Sequence, residues 1–232
     1  MEALFQVLVL PNISITEQDL EEYESEPAQY IRNDLEESDV ETRRRHCMKF
    51  VGRLSQLFEQ EVSALIQQFI GAMHAEFTSD KQRHWQQMAT IINLIITASI
   101  NCYTYQHGAT EVRITPQLLE TYLSELIVRE LQIEAQSPMD ALPVLKATCI
   151  KFVYMFRNQI PDNYVLEFVK LFASYLRSSQ PVNQSYAAAC IEKLLIRKSQ
   201  ANPSQPVLTQ AIVGEDTLSM LLQNICELLN EN

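Results

Sequence analysis

The feature that most constrains this chain is a recurring pair of amphipathic helices. Between Val40 and Gln60 the apolar residues Val40, Cys47, Phe50, Val51, Leu54, Leu57 and Phe58 return at steps of three, four and seven. That spacing lays one buried stripe along a helix, and Ser38 or Asp39 stands where an N-cap belongs. The same pattern predicts helices over Val62–Phe77, His84–Ala98, Pro116–Leu131, Asp140–Arg157, Tyr164–Leu176, Gln184–Arg197 and Asp216–Leu229. Pro161, Pro181, Pro203 and Pro206 punctuate the later ones. Alternate helices begin near 41, 82, 141 and 182, at steps of 41, 59 and 41. Cys47-Met-Lys-Phe-Val51 recurs as Cys149-Ile-Lys-Phe-Val153, with a weaker echo in Cys190-Ile-Glu-Lys-Leu194.

A two-helix unit repeating every 40–47 residues has the HEAT or armadillo period. One such pair cannot bury its apolar face alone, whereas stacked pairs share a continuous core. The fold class expected is therefore all-α, an α-solenoid of HEAT repeats, with residues 1–232 forming a superhelical array of four to five units. The small residues Ala147, Cys149, Ala188, Ala189 and Cys190 let neighbouring helices approach closely. The long step of 59 points to an inserted loop over Asn101–Thr115, in which Glu111–Thr115 is strand-like but too short to build a sheet. Both ends read as uncapped, apolar at Met1–Leu10 and again over Asp216–Leu229, as in a segment of a longer array.

Several classes of function find no support. Glycine occurs only at 52, 71, 108 and 214, so no glycine-rich phosphate loop or nucleophile elbow exists. His46, His74, His84 and His107 form no HExxH or similar ligand spacing, and Glu21 beside Glu22 would diverge on any helix or strand. We expect no catalysis, no metal and no cofactor. Cysteines at 47, 102, 149, 190 and 226 contain no CxxC pair and read as reduced core thiols of a cytosolic or nuclear chain. In such a compartment the sequons at Asn12 and Asn183 are chance matches. The apolar run Ile91–Ile100 is too short to span a bilayer. The net charge of −11 argues against a direct nucleic-acid ligand.

That charge is concentrated. Residues 1–45 hold twelve acids against four arginines, a local balance of −8. Segment 14–40 reads as an acidic insert within the first repeat. It is either a solvated connection or a contact for a basic partner. The second reading draws on Asp19, Glu21, Glu22, Glu24, Glu26, Arg32, Asp34 and Asp39, with Tyr23 and Tyr30 as apolar anchors. Arg43, Arg44 and Arg45 read as a helix start whose arginines pair with nearby acids, Glu36 and Glu37 among them. Three arginines in a row also fit an import signal or a phosphate contact.

Longer strings carry a resemblance. Leu10-Pro-Asn-Ile13, Glu26-Pro27 and the run from Tyr30-Ile-Arg-Asn-Asp34 through Asp39 to Thr42-Arg-Arg-Arg45 resemble the CAS-type exportins, the importin-α re-exporters of the importin-β superfamily. Pro143-Val-Leu-Lys-Ala147, Phe156-Arg-Asn-Gln-Ile-Pro161 and Ser185-Tyr-Ala-Ala-Ala189 with Ile191-Glu-Lys-Leu-Leu195 are similar to further stretches of that family, in the same order. Trp85 and His107-Gly108 fall at matching places. Asn33 stands for a usual Arg, Glu37 for a usual Gly and Thr148 for a usual Asp, which puts any interaction of that Asp in question. The resemblance implies the middle of a HEAT-repeat karyopherin about four times longer. Such a receptor binds Ran-GTP and importin-α together in the nucleus and shuttles through the pore to the cytoplasm, with nucleoporins as further partners. The segment before the arginine triplet then corresponds to an insert linked to Ran contact and to opening of the superhelix. The rival reading is another HEAT or armadillo scaffold, or an importer.

Overall fold

The computed structural model describes residues 1–35, 42–104, 106–135 and 137–231. They divide into two compact units, Met1–Ile114 and Thr115–Asn232.

The first unit opens with α1 (Glu2–Leu4), a π-wound stretch (Phe5–Val9) and α2 (Leu10–Ile13), joined by right-handed helical residues into one run. Two short acidic helices follow, α3 (Glu17–Ser25) and α4 (Pro27–Asp34). The apolar-striped helices come next: α5 (Arg43–Leu57), α6 (Glu59–Ser79) and α7 (Trp85–Ser99). The stripe read from Val40 onward is present, and Cys47 and Val51 join Phe5, Val9, Ile13, Val62, Leu65, Ile66 and Leu94 in one core. Phe5 stacks on Phe69 at 6.1 Å. Each fully buried side chain of this size contributes about 1.5–3 kcal/mol. The α7 residues from Met88 to Thr97 are all buried, because α7 packs on α2, α5 and α6 together. Its apolar run Ile91–Ile96 is thus explained by core burial, and no helix among the described residues is long and apolar enough to cross a membrane.

Three expectations need correction here. The N-cap of α5 is Thr42, whose hydroxyl accepts from the Arg45 N–H at 3.2 Å, and not Ser38 or Asp39. Ser38, Asp39 and Val40 lie outside the described residues, as do Glu36 and Glu37. The presumed loop after α7 is an antiparallel hairpin, β1 (Ile100–Thr104) with β2 (Gly108–Val112). Gly108 takes φ 71° there, a conformation open to glycine at little cost. Arg113 fastens the hairpin's base, donating to Ala98 O at 3.1 Å and Gly52 O at 3.2 Å. Finally, only Cys47, Cys149 and Cys190 are core thiols. Cys102 on the hairpin and Cys226 are exposed.

The second unit contains α8 (Pro116–Tyr122), a π-wound stretch (Leu123–Val128) and α9 (Arg129–Leu131), which run on as a single helix. Then come α10 (Pro143–Phe156), α11 (Asp162–Tyr175), α12 (Pro181–Leu195) and α13 (Gln210–Glu231), the last interrupted at Gly214 with φ 74°. Pro143 and Pro181 sit in first turns, where a missing N–H costs nothing. Hence α12 begins at Pro181 and not near Gln184. Helix α10 is buried from Val144 to Phe156. Its two lysines are enclosed, and Lys146 donates to Pro138 O at 2.7 Å. Of the small residues expected at close approaches, Ala147, Cys149 and Cys190 are buried, and Cys190 Sγ donates to Ile150 O at 3.5 Å between α12 and α10, whereas Ala188 is exposed and Ala189 half-buried. Thr148 donates within its own helix to Val144 O.

Candidate functional site

The acidic segment is two helices folded on each other. A capping box starts α3: Asp19 N–H donates to Thr16 Oγ1, while Thr16 N–H donates to Asp19 Oδ2 at 2.7 Å. The Thr-x-x-Asp spacing of that box is legible in the sequence, yet the reading above drew nothing from it. Pro27 starts α4 immediately afterward. Tyr23 on α3 and Tyr30 on α4 are 4% and 3% exposed, and their rings meet edge to face at 5.3 Å. Such pairs contribute about 0.5–1.5 kcal/mol beyond burial. In this conformation neither ring is offered to a partner; together they close the small apolar seam between the helices. Burial pushes the Tyr30 phenol well above its ordinary pKa. Asn33 adds a polar stitch, donating to Glu22 Oε1 at 2.6 Å and accepting from Gln29 at 2.9 Å.

The arginines of α5 hold this pair of helices down. Arg44 is 8% exposed. Its guanidinium meets Asp19 Oδ2 at 3.0 Å and Asp34 Oδ1 at 3.3 Å, and its Nε donates to Ile13 O at 3.3 Å. Arg43 donates to Pro11 O at 2.8 Å, Thr16 Oγ1 at 2.9 Å and Asp19 Oδ2 at 2.7 Å. Burial works to raise the Asp19 carboxyl, but Arg44, the Thr16 hydroxyl and N–H, and Arg43 outweigh it and hold the pKa below the usual value. The pairing of the arginines with acids is as expected, but the described partners are Asp19 and Asp34, 10–25 residues away. Arg45 is half-buried and supplies the capped N–H.

What faces outward is a set of carboxylates. Glu21, Glu24 and Glu26 are exposed, as is Glu17, which the sequence reading left out of its site. Glu17, Glu21 and Glu24 are spaced four and three apart, so they share one side of α3. Arg32 is exposed in the last turn of α4. Glu22 is half-buried, and its pKa is raised by burial first and by Asp19 and Glu26 next, against the pull of Asn33. Asp39 lies outside the described residues. The structure therefore sorts the candidates into an internal ionic and aromatic framework (Asp19, Tyr23, Tyr30, Asp34, Arg43, Arg44) and an outward acidic face (Glu21, Glu24, Glu26). Such an arrangement can attract and orient a basic surface; it brings together no acid, base and nucleophile in a reacting geometry.

The packed helices of each unit are those of a helical-repeat protein of the karyopherin type. All of this chain superposes on 23% of a solved chain, the exportin Cse1 in its cargo-free, cytoplasmic state, with a TM-score of 0.81 and 25% identity. Sequence makes the assignment particular: the Cse1 family model matches residues 1–191, and the chain belongs to the Cse1 family. Exportin-2 of Homo sapiens is 28% identical over 229 residues, covering 99% of this chain and 23% of that protein. The importin alpha re-exporter of Saccharomyces cerevisiae is 29% identical over 230 residues, again 99% of this chain and 23% of its own length. The chain thus spans under a quarter of these relatives, and its fold class is the all-α HEAT-repeat array that the helical periodicity predicts.

Proposed function

We propose that this chain is a segment of a nuclear export receptor that binds importin-α cooperatively with Ran-GTP and returns it to the cytoplasm. The observation that carries the reading is family membership extending through the acidic helix pair, which turns Glu17, Glu21, Glu24 and Glu26 outward. A negative face on a helical scaffold suits a basic protein surface and speeds encounter with it. Single rim acids contribute little each, so the face acts collectively. The chain follows the course of a neighbour described as cargo-free, so we read the helix pair seated on α5 as the arrangement before cargo binds. Coupling follows if Ran-GTP and importin-α both favour a second arrangement, since each then raises the other's affinity by the same factor. No catalytic step is assigned to the segment, and the receptor carrying it shuttles between nucleus and cytoplasm.

The test uses the full-length receptor. Removing Thr16–Ser38, or reversing Glu17, Glu21 and Glu24 to Lys while leaving Asp19 and Asp34 in place, is expected to weaken Ran-GTP or importin-α binding or to uncouple the two. Titration of each ligand with and without the other reads this directly. Unchanged affinities and unchanged coupling in both variants would overturn the role of the acidic face. Equal binding of GDP-bound and GTP-bound Ran would overturn the exporter reading itself.

A further inference from the structure

In the second unit the structure shows carboxylates that reach one repeat ahead. Pro143 and Pro181 open α10 and α12, so Asp140 and Ser178, each three residues earlier, hold equivalent places in successive repeats. They are bonded to each other: Ser178 Oγ donates to Asp140 Oδ1 at 2.5 Å, and Ser179 gives Asp140 Oδ2 both its N–H at 3.2 Å and its hydroxyl at 2.8 Å. Asp162, the first residue of α11, repeats the arrangement. Gln200, again 38 residues on, donates its N–H to both oxygens of Asp162 at 3.4 and 3.2 Å. Ser199 Oγ adds a bond at 2.7 Å and Arg197 Nη2 one at 2.9 Å. Arg197 is itself 4% exposed and also donates to Ile160 O.

Position matters as much as partners. Asp140 precedes the start of α10, and Asp162 follows its end. Helix α10, 14 residues long and so about 21 Å from end to end, lies between the two aspartates in the chain. A single link restrains α12 against α10 at one end only; two links at opposite ends oppose rotation as well as separation. Between them lies the apolar seam where Cys190 meets the Ile150 carbonyl. We propose that Asp140 and Asp162 are paired inter-repeat clamps that make the stretch from Pro138 to Gln200 one stiff block. Conformational change in an array containing this block must then be absorbed outside it.

Hydrogen exchange on the 232-residue chain tests the pairing, using Asp140→Asn, Asp162→Asn and the double variant. Asn keeps the size and one acceptor while removing the charge. With either link intact, amides of Thr148–Phe152 and Ala187–Ile191 are expected to exchange less than about threefold faster than in the parent. With both weakened, they should exchange about thirtyfold faster or more, well above the product of the single effects. Ser178→Ala combined with Ser199→Ala removes one donor from each link with both carboxylates in place, and serves where the double Asn variant does not fold. It should show the same excess on a smaller scale. Single effects that simply multiply, in either series, would reduce the two aspartates to local loop caps and overturn the proposal.

Discussion

Replacing Asp19 with Asn puts the ionic seat of the acidic helix pair to the test. Asp19 Oδ2 accepts from Thr16 N and Oγ1 and from Arg43 at 2.6–2.7 Å and is ion-paired with Arg44 Nη2 at 3.0 Å. Asn retains an oxygen for Thr16, so the loss falls on the arginines. The Arg44 side chain is 10% exposed and that of Asp19 18%. Leaving the enclosed guanidinium without that carboxylate costs about 1–3 kcal/mol. Arg43 is 36% exposed, and after solvent screening its share is about 0–1 kcal/mol. Arg44 keeps Asp34 at 3.3 Å, which limits the damage below that of a stranded buried charge. The sum is about 1–4 kcal/mol, which at 1.4 kcal/mol per decade is about 5–700-fold. It should appear as faster hydrogen exchange over Leu20–Asp34, with a lower urea midpoint for the loss of α3 and α4.

The sign of the pH dependence follows from the lowered pKa. The folded Asp19 carboxyl titrates below its ordinary value of 3.8, while in the unfolded chain it titrates at about 3.9. Its contribution is therefore complete above the unfolded value and disappears as pH falls through the folded one. Parent and Asp19→Asn should differ at pH 7 and converge in acid, where the carboxyl is protonated in both states. A difference below about 0.5 kcal/mol at neutral pH, or one that persists unchanged into acid, would refute the ionic seat.

Two further outcomes check other parts of the structure. At pH 8 a disulfide-exchange reagent should label Cys102 and Cys226 first, with Cys47, Cys149 and Cys190 reacting only as the chain unfolds, because burial shields all three and pushes the Cys47 thiol to about 11; rapid labelling of four or more would contradict the packing. Gly214→Ala should cost about 1–3 kcal/mol, since φ 74° with ψ 161° is backbone essentially restricted to glycine, while nothing lies within 4 Å of an added Cβ; urea unfolding with no change in stability would remove the conformational argument.

How much of this was legible depends on what each element asks of its residues. Helices α5 to α7 and α10 to α12 bury apolar faces at helical spacing, and that demand is written along the chain. The hairpin Ile100–Val112 asks mostly for backbone pairing, and its register slips between Ile100 and Tyr103 blur the alternation that announces a strand. His107-Gly108 between residues such as Tyr103, Thr104 and Thr110 was the available turn signal. Helices α3 and α4 carry so little apolar surface that only the Thr16–Asp19 box and Pro27 mark them locally. The family resemblance located the segment without revealing that it is helical.

The same segment shows why charge and aromatic content located a surface but misassigned its parts. Sequence distance hides the pairing of Arg43 and Arg44 with Asp19, 24 and 25 residues earlier, so the arginines looked available to neighbours and the tyrosines to partners. Folded, they satisfy one another, and the acids that remain outward are those with no reason to turn in. This has a consequence for any anionic partner group. To engage Arg44 it must displace Asp19 and Asp34 and then bear the cost of leaving those carboxylates unpaired in a partly buried place. A basic group approaching Glu17, Glu21 and Glu24 meets no such cost. The arrangement therefore discriminates between partners by sign of charge more strongly than the local excess of acids alone would. Raising salt should erode attraction at the exposed face sooner than it loosens the buried pairs beneath.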